Sequence, residues 1–433
     1  MRSLNVTQVR AVLARGVMVM ALATLAAACS SAPEEAPLAT DVMVFEGARL
    51  ITGDGTVIDD GVLVIQRDRI TEVGRAGEVA VPNGATRVHL NGKTVMPALI
   101  DTHTHIAAER EPLLDQLQRQ AYWGVAAVAS LGMDDIELAR QVRGEVIADA
   151  ARLRTAGRGI TTPEPGRTEV PYWVTTPEEA RAAAAELAKN QVDIIKMWVD
   201  DRNGQYKKMT PELWTPVIEE AHQHGLRVTA HIFNLSDAKG LLRAGLDAFA
   251  HGVRDTEVDE ELLALWKERP HVVLVPNLPG RGVAEDMSWI GDTVPAAEIA
   301  RMHEAQAKLP PTAGASFQLQ ARNLVTLRDN GIRIAFGTDS NGGWQAHQEL
   351  ADMVAAGMTP GEVIVAATRN AADLLKIDEL GLLAPGKSAD FLVLDANPLD
   401  DITHTRRIAS VYLRGAEVDR AALRSRWAAG GTE

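Results

Sequence analysis

At 433 residues, with 46% hydrophobic and 24% charged residues, the chain can bury one large core and a smaller one, and its composition excludes disorder as the main state. Acidic residues outnumber Lys and Arg by 58 to 44, for a formal charge of -14, and no basic run is long enough to track phosphates. A role in binding nucleic acid is therefore excluded.

The first 28 residues predict a secretion signal. Arg2, Arg10 and Arg15 precede an apolar stretch over 16–28 that is too short for a stable membrane span. Cys29 is the only cysteine, so no intrachain disulfide can form. Its place after Ala26-Ala27-Ala28 resembles the lipid-attachment cysteine of bacterial lipoproteins. Ala26 stands where Leu is commonest, which leaves plain cleavage after Ala28 as the rival. Residues 29–41, rich in Ser, Pro and Glu, read as a polar tether. The expected location is exported, on the periplasmic side of a bacterial membrane, with the membrane touched only through the lipid on Cys29.

From residue 42 to 94 the pattern is of short strands, at 42–50, 61–66 and 69–73, with a Gly53-Asp54-Gly55 turn. From 95 to 375 apolar strands alternate with Ala- and Leu-rich helical stretches, the pattern of repeated βα units. The strands are expected at 94–101, 125–131, 153–158, 192–199, 226–232, 248–253, 272–277 and 332–338, with helices including 176–189, 211–224 and 236–244. Eight such units predict an α/β fold of the (β/α)8 TIM-barrel type, with chemistry at the C-terminal strand ends. Strand character returns at 389–395 and 408–414, so residues 376–433 are expected to complete a small β-sandwich begun at 42–94. The stretch 278–320 exceeds a plain connection and is expected to be a lid or substrate loop.

His103 and His105 stand two residues apart where an apolar run ends. Side chains alternate along a strand, so both share one face, roughly 6 to 7 Å apart along it, a spacing that suits convergence on one metal ion. Lys196, His231, His251 and Asp339 each end or follow an expected strand, at the same mouth of the barrel. Any one of them alone reads as an ordinary surface or core group. Six together, from strands one, four, five, six and eight, do not.

The motifs Pro97-Ala98-Leu99-Ile100-Asp101-Thr102-His103-Thr104-His105, Ile195-Lys196-Met197-Trp198, Thr229-Ala230-His231, Phe249-Ala250-His251-Gly252 and Gly337-Thr338-Asp339 resemble those of the amidohydrolase superfamily. The tail pattern Pro385-Gly386-Lys387-Ser388-Ala389-Asp390 extends the likeness over the mature length, with Ala98 departing from the usual Gly. The lysine points to the branch with a carboxylated lysine and two metals, similar to imidazolonepropionase-like and Xaa-Pro dipeptidase-type enzymes. That resemblance implies one metal on His103, His105 and Asp339, a second on His231 and His251, and Lys196 bridging. Two divalent ions, zinc first and manganese, cobalt or iron as alternatives, would make a bridging hydroxide available at neutral pH. Asp339 would be the base that carries the proton to the leaving amine.

The expected reaction is hydrolysis of an amide or peptide C–N bond in a small molecule of dipeptide or N-acyl amino acid type. Deamination of a nitrogen heterocycle is the rival, but Asn234 stands where deaminases carry Glu three residues after the strand-five histidine. Lactone and phosphotriester hydrolysis are further alternatives. Arg158, Arg254 and His347 are candidate substrate contacts, and Asp200-Asp201-Arg202 reads as loop or outer-layer support. His222 and His224 read as surface groups, and His89, His271, His303 and His404 carry no assigned chemistry.

Overall fold

The computed structural model describes residues 41–430. The expected leader, Cys29 and the tether up to residue 40 lie outside the described residues. Among the described residues no helix is long and apolar enough to cross a membrane.

The fold is α/β. Strands from both ends of the chain form one mixed sheet of eight, in the order Ala416–Glu417, Ile408–Leu413, Phe391–Leu394, Thr94–Pro97, Val42–Ile51, Val57–Gln66 and Arg69–Arg75, with Thr86–His89 also paired to Val42–Ile51. The ends therefore meet as expected, but by hydrogen bonding they form a single sheet. At a strand spacing of about 4.8 Å a flat sheet would hold Val42–Ile51 and Ile408–Leu413 about 14 Å apart. The Phe45 and Tyr412 rings nonetheless lie 5.0 Å apart, with Phe391 stacked 4.7 Å from Tyr412. The sheet must curl on itself to bury these rings together.

The apolar run expected as one strand over 94–101 divides at Ala98. Thr94–Pro97 pairs with Phe391–Leu394 in the mixed sheet, whereas Leu99–Thr104 pairs in parallel with Val125–Ser130. Nothing in a continuous apolar run marks a change of sheet, because both halves are fully buried.

The remaining strands form two parallel sheets. One contains Leu99–Thr104, Val125–Ser130 and Arg152–Thr155. The other runs Tyr172–Trp173, Ile160–Thr161, Ile195–Val199, Val228–Ile232, Ala248–Ala250, Val273–Val275 and Arg333–Ile334. Main-chain bonds join the two sheets at both edges of the three-stranded one, from Asp193 N–H, just before Ile195–Val199, to Thr155 O at 2.8 Å and from Thr102 N–H to Phe336 O, just after Arg333–Ile334, at 3.0 Å. Strands with both faces covered are apolar along most of their length, and in the wholly buried Val125–Ser130 and Ile195–Val199 only Ser130 and Lys196 are polar.

Local chemistry sets the helix limits. In Pro177–Lys189 the Thr176 side chain accepts from Glu179 N–H, the Glu179 side chain returns the bond, and Pro177 begins the first turn. Helix Leu235–Ala244 stops at Gly245, whose φ of 95° is a left-handed cap that a side chain would strain. The stretch 278–320 is not one open loop. It holds a short 3-10 turn, Ser288–Ile290, the helix Ala296–Gln306 with no buried residue, and the start of helix Ala315–Asp329.

Candidate metal centre

The six expected ligands lie on or just beyond these parallel strands. His103 is in Leu99–Thr104 and His105 follows it, while His231 is in Val228–Ile232 and His251 follows Ala248–Ala250. Lys196 departs from its expected position. It is the second residue of Ile195–Val199, opposite Thr229, whereas His231 lies opposite Trp198 and Ala250. Lys196 thus starts two residues, about 7 Å, deeper than His231, and its long side chain covers the difference.

The side chains converge. Asp339 Oδ1 lies 3.3 Å from His103 Nε2 and 3.2 Å from His105 Nε2, and its Oδ2 lies 3.5 Å from His251 Nε2. Lys196 Nζ is 3.3 Å from His103 Nε2. The His231 and His251 rings are 4.6 Å apart. Among the described residues, His103, His251 and Asp339 each place a ligand atom within 4.8 Å of the other two.

The donor set fits a cation. His105 Nδ1 is 3.2 Å from Gly132 O, a carbonyl that only accepts, so in the neutral ring Nδ1 carries the proton. His105 Nε2 then turns a lone pair toward the Asp339 carboxylate. His103 Nδ1 meets Asn277 Oδ1 at 2.9 Å, which directs its Nε2 lone pair to the same place. His251 Nε2 is buried with no hydrogen-bond partner. Lone pairs facing a carboxylate, with no proton between them, repel unless a positive ion joins them.

Burial keeps the His103, His231 and His251 rings from taking up a second proton. Burial, followed by the nearby positive charge of Lys196, holds His103 well below the usual imidazole range, and burial does the same for His251. Burial lowers His231 to about 3. Burial also pulls the Lys196 ammonium down to about 7, against the attraction of Asp339. Burial alone would raise Asp339, but His103, His105 and Lys196 outweigh it and keep the carboxyl well below its ordinary range. Its side chain is 37% exposed, whereas that of His103 is 1% exposed, so Asp339 is the member of the pair that solvent and substrate can reach.

Three non-glycine residues beyond successive strands have positive φ: His251 at 82°, Asn277 at 45° and Asp339 at 54°. Such backbone costs of order 1–3 kcal/mol each, and it gathers where side chains must be aimed.

Arg254 belongs to this neighbourhood, with Nη2 2.9 Å from His231 Nε2. Two other candidate substrate contacts do not. Arg158 donates to Val170 O and lies over the Tyr172 ring. His347 is a core histidine: Nε2 is 2.9 Å from Trp123 O and Nδ1 is 3.0 Å from Thr405 Oγ1, so both ring nitrogens are already used. Asp200 and Arg202 are outer-layer support, with Asp200 Oδ2 3.1 Å from His231 Nε2 and 2.9 Å from Arg202 Nη1.

Asp101 and Asn277 add two residues to the site beyond the six expected ligands. Asp101 accepts from His103 N–H, Thr338 N–H and Thr338 Oγ1–H, at 3.0, 3.0 and 2.6 Å, and so clamps strands one and eight together behind the ligands. Burial pushes its carboxyl up to about 7. Asn277 ends an expected strand, and the strand-end rule that selected the six ligands would have found it. Because it orients His103, Asn277→Ala is expected to weaken metal binding by about 10- to 100-fold, read by competition with a chromogenic chelator.

The chain is similar to known proteins over most of its length. It is 26% identical to the imidazolonepropionase of Paracoccus denitrificans, covering 82% of this chain and 94% of that one. It is also 26% identical to the ochratoxinase of Aspergillus niger, covering 83% of this chain and 82% of that one. The crystal structure of a candidate prolidase from Bifidobacterium longum superposes with a TM-score of 0.71 at 27% identity, over 90% of this chain and 99% of that one. The profile of the Amidohydrolase family matches residues 94–418, and the chain belongs to that family.

Proposed function

We propose that this protein is a metal-dependent hydrolase of an amide or peptide C–N bond in a small dipeptide or N-acyl amino acid. Family membership supports hydrolysis of a C–N bond. The observation that carries the finer reading is the convergence of His103, His105, His251 and Asp339, with the buried, unpartnered His251 Nε2 among them. A prolidase-type neighbour supports the dipeptide class.

In this reading His103, His105 and Asp339 hold one divalent ion, His231 and His251 hold another, and Lys196 stands between them. Two such ions, zinc first by the imidazole and carboxylate donors, with manganese, cobalt or iron able to replace it, would lower a water's pKa toward neutrality and polarise the scissile carbonyl. Lys196 is buried and has a depressed pKa, so its neutral amine can add to carbon dioxide and lose a proton, leaving an anionic carbamate. Asp339, ionised and partly exposed, takes the proton released by the attacking water on a carboxylate oxygen and delivers it to the leaving nitrogen.

In the same proposal the two parallel sheets are arcs of one closed (β/α)8 barrel spanning about 95–375. The main-chain bonds at both edges and the amidohydrolase neighbours support that reading. Residues 42–94 and 376–433 make the smaller β-sandwich unit, supported by the curl of the mixed sheet, with Thr94–Pro97 belonging to it as well.

Metal analysis tests the function. About two divalent ions per chain are expected, with hydrolysis of dipeptides or N-acyl amino acids lost on chelation and restored by zinc. One ion per chain, or hydrolysis of lactones in preference to every amide, would overturn the reading. The leader composition supports export and lipidation at Cys29. Labelling with a radioactive fatty acid is expected to mark the wild type and spare Cys29→Ala.

A further inference from the structure

Two guanidinium groups approach His231, and they are held in different ways. Arg202 is neutralised: its Nε is 3.0 Å from Glu164 Oε1, and its Nη1 is 2.9 Å from Asp200 Oδ2. Arg254 makes no carboxylate ion pair among the described residues. Its Nη2 donates to Ile232 O at 2.6 Å and lies 2.9 Å from His231 Nε2. Its Nε is buried with no partner. The arginine is nonetheless fixed in place, with its main-chain N–H on Phe233 O at 2.8 Å and its guanidinium carbon 5.2 Å from the Phe233 ring centre.

His231 Nε2 also faces the Asp200 carboxylate, at 3.1 Å. Whether it bears a proton toward Asp200 or holds a cation, it offers Arg254 Nη2 no lone pair, and the Nε–H beside it is already unpaired. Nε and Nη2 share one edge of the guanidinium; with one Nη2 N–H on Ile232 O, the other and the Nε–H can form the fork that accepts a carboxylate bidentately. An unpaired, half-buried cation beside the reacting centre has a strong reason to bind an anion.

We propose that Arg254 holds a free carboxylate of the substrate beside the scissile bond, so that the enzyme acts on anionic amides, dipeptides or N-acyl amino acids, and not on their neutral carboxamides. The placement beside a scissile C–N bond rests on the function proposed above; recognition of the carboxylate rests on Arg254 alone. Arg158 is not an equivalent site, because its guanidinium is already bound to a carbonyl and a ring.

The test is direct binding, by calorimetry on the metal-loaded full chain, of N-methylsulfonyl-L-amino acids and their matched carboxamides. The sulfonamide link resists hydrolysis, so binding is read apart from turnover. Members of the carboxylate set are expected to bind about tenfold or more tightly than their carboxamides. Arg254→Gln should abolish that preference with metal content unchanged, Arg254→Lys should retain part of it, and Arg158→Ala should retain all of it. In hydrolysis, Arg254→Gln should raise KM for acids more than it lowers kcat. Equal binding of the two sets to the wild type, or a full preference in Arg254→Gln, overturns the proposal. Hydrolysis of neutral amides as fast as of acids would leave C–N hydrolysis standing and remove this inference. Carboxylate binding dependent on Arg254 without hydrolysis of any amide would do the reverse.

Discussion

Asp339→Asn is expected to lower kcat by about 100- to 10,000-fold, the range over which a positioned acid or base contributes. The change keeps the shape of the side chain and one oxygen, so the contacts with His103 and His105 at 3.3 and 3.2 Å have a similar atom to meet. It removes the negative charge and the capacity to take a proton. Two roles are thereby separated. If Asp339 serves only as a ligand, activity should fall in proportion to lost metal and return when metal is supplied in excess. If it is also the base, the fully loaded variant remains slow at saturating substrate, with KM little changed. An Asp339→Asn chain that carries a full complement of metal and turns over near the wild-type rate would sink the base assignment.

The parts of this centre that the sequence reveals are those whose spacing is local. His103 and His105 are legible because strand alternation alone puts them on one face, and the run Leu99 to Thr104 is buried as expected. Lys196 is legible as a residue but not in its depth: register between Ile195–Val199 and Val228–Ile232 is a property of pairing, which a single strand does not encode. His347 shows the opposite failure. It follows strand eight on the mouth side, yet it lies within helix Gln345–Ala355, whose rotation turns it to Trp123 and Thr405. Asp101 is not legible in the sequence, because a carboxylate inside an apolar strand takes on meaning only through Thr338, 237 residues away, which donates to it. The division of one apolar run at Ala98 is hidden for a similar reason, since both sheets ask for the same residue types there.

Lys196→Ala is expected to lower turnover by about 100- to 1,000-fold or more, the cost of losing one preorganised charged group at a reacting centre, together with part of the bound metal. The physical argument begins with burial. A fully buried lysine with no carboxylate ion pair among the described residues is a poor way to stabilise a fold, since desolvation, aided by the charges of Arg202 and Arg254, draws its pKa to about 7 against the attraction of Asp339. Its Nζ is 3.3 Å from His103 Nε2 and 5.5 Å from the Trp198 ring centre, so the chain keeps an amine where an apolar side chain would pack at lower cost. Lys196→Met, close in volume, should therefore hold or raise Tm while losing activity, which separates chemistry from folding. If the wild-type residue acts as a carbamate, a small carboxylate such as acetate or propionate can enter the space left in Lys196→Ala and supply the missing oxygens. Partial recovery of both metal content and rate is then expected in Lys196→Ala and not in Lys196→Met, where the space is filled. Labelled bicarbonate should give a carbamate carbon signal in the wild type that is absent from both variants. Lys196→Ala with full metal and near-normal rates, or a wild-type chain without that signal, would remove the bridging role and leave Lys196 as an ordinary buried amine.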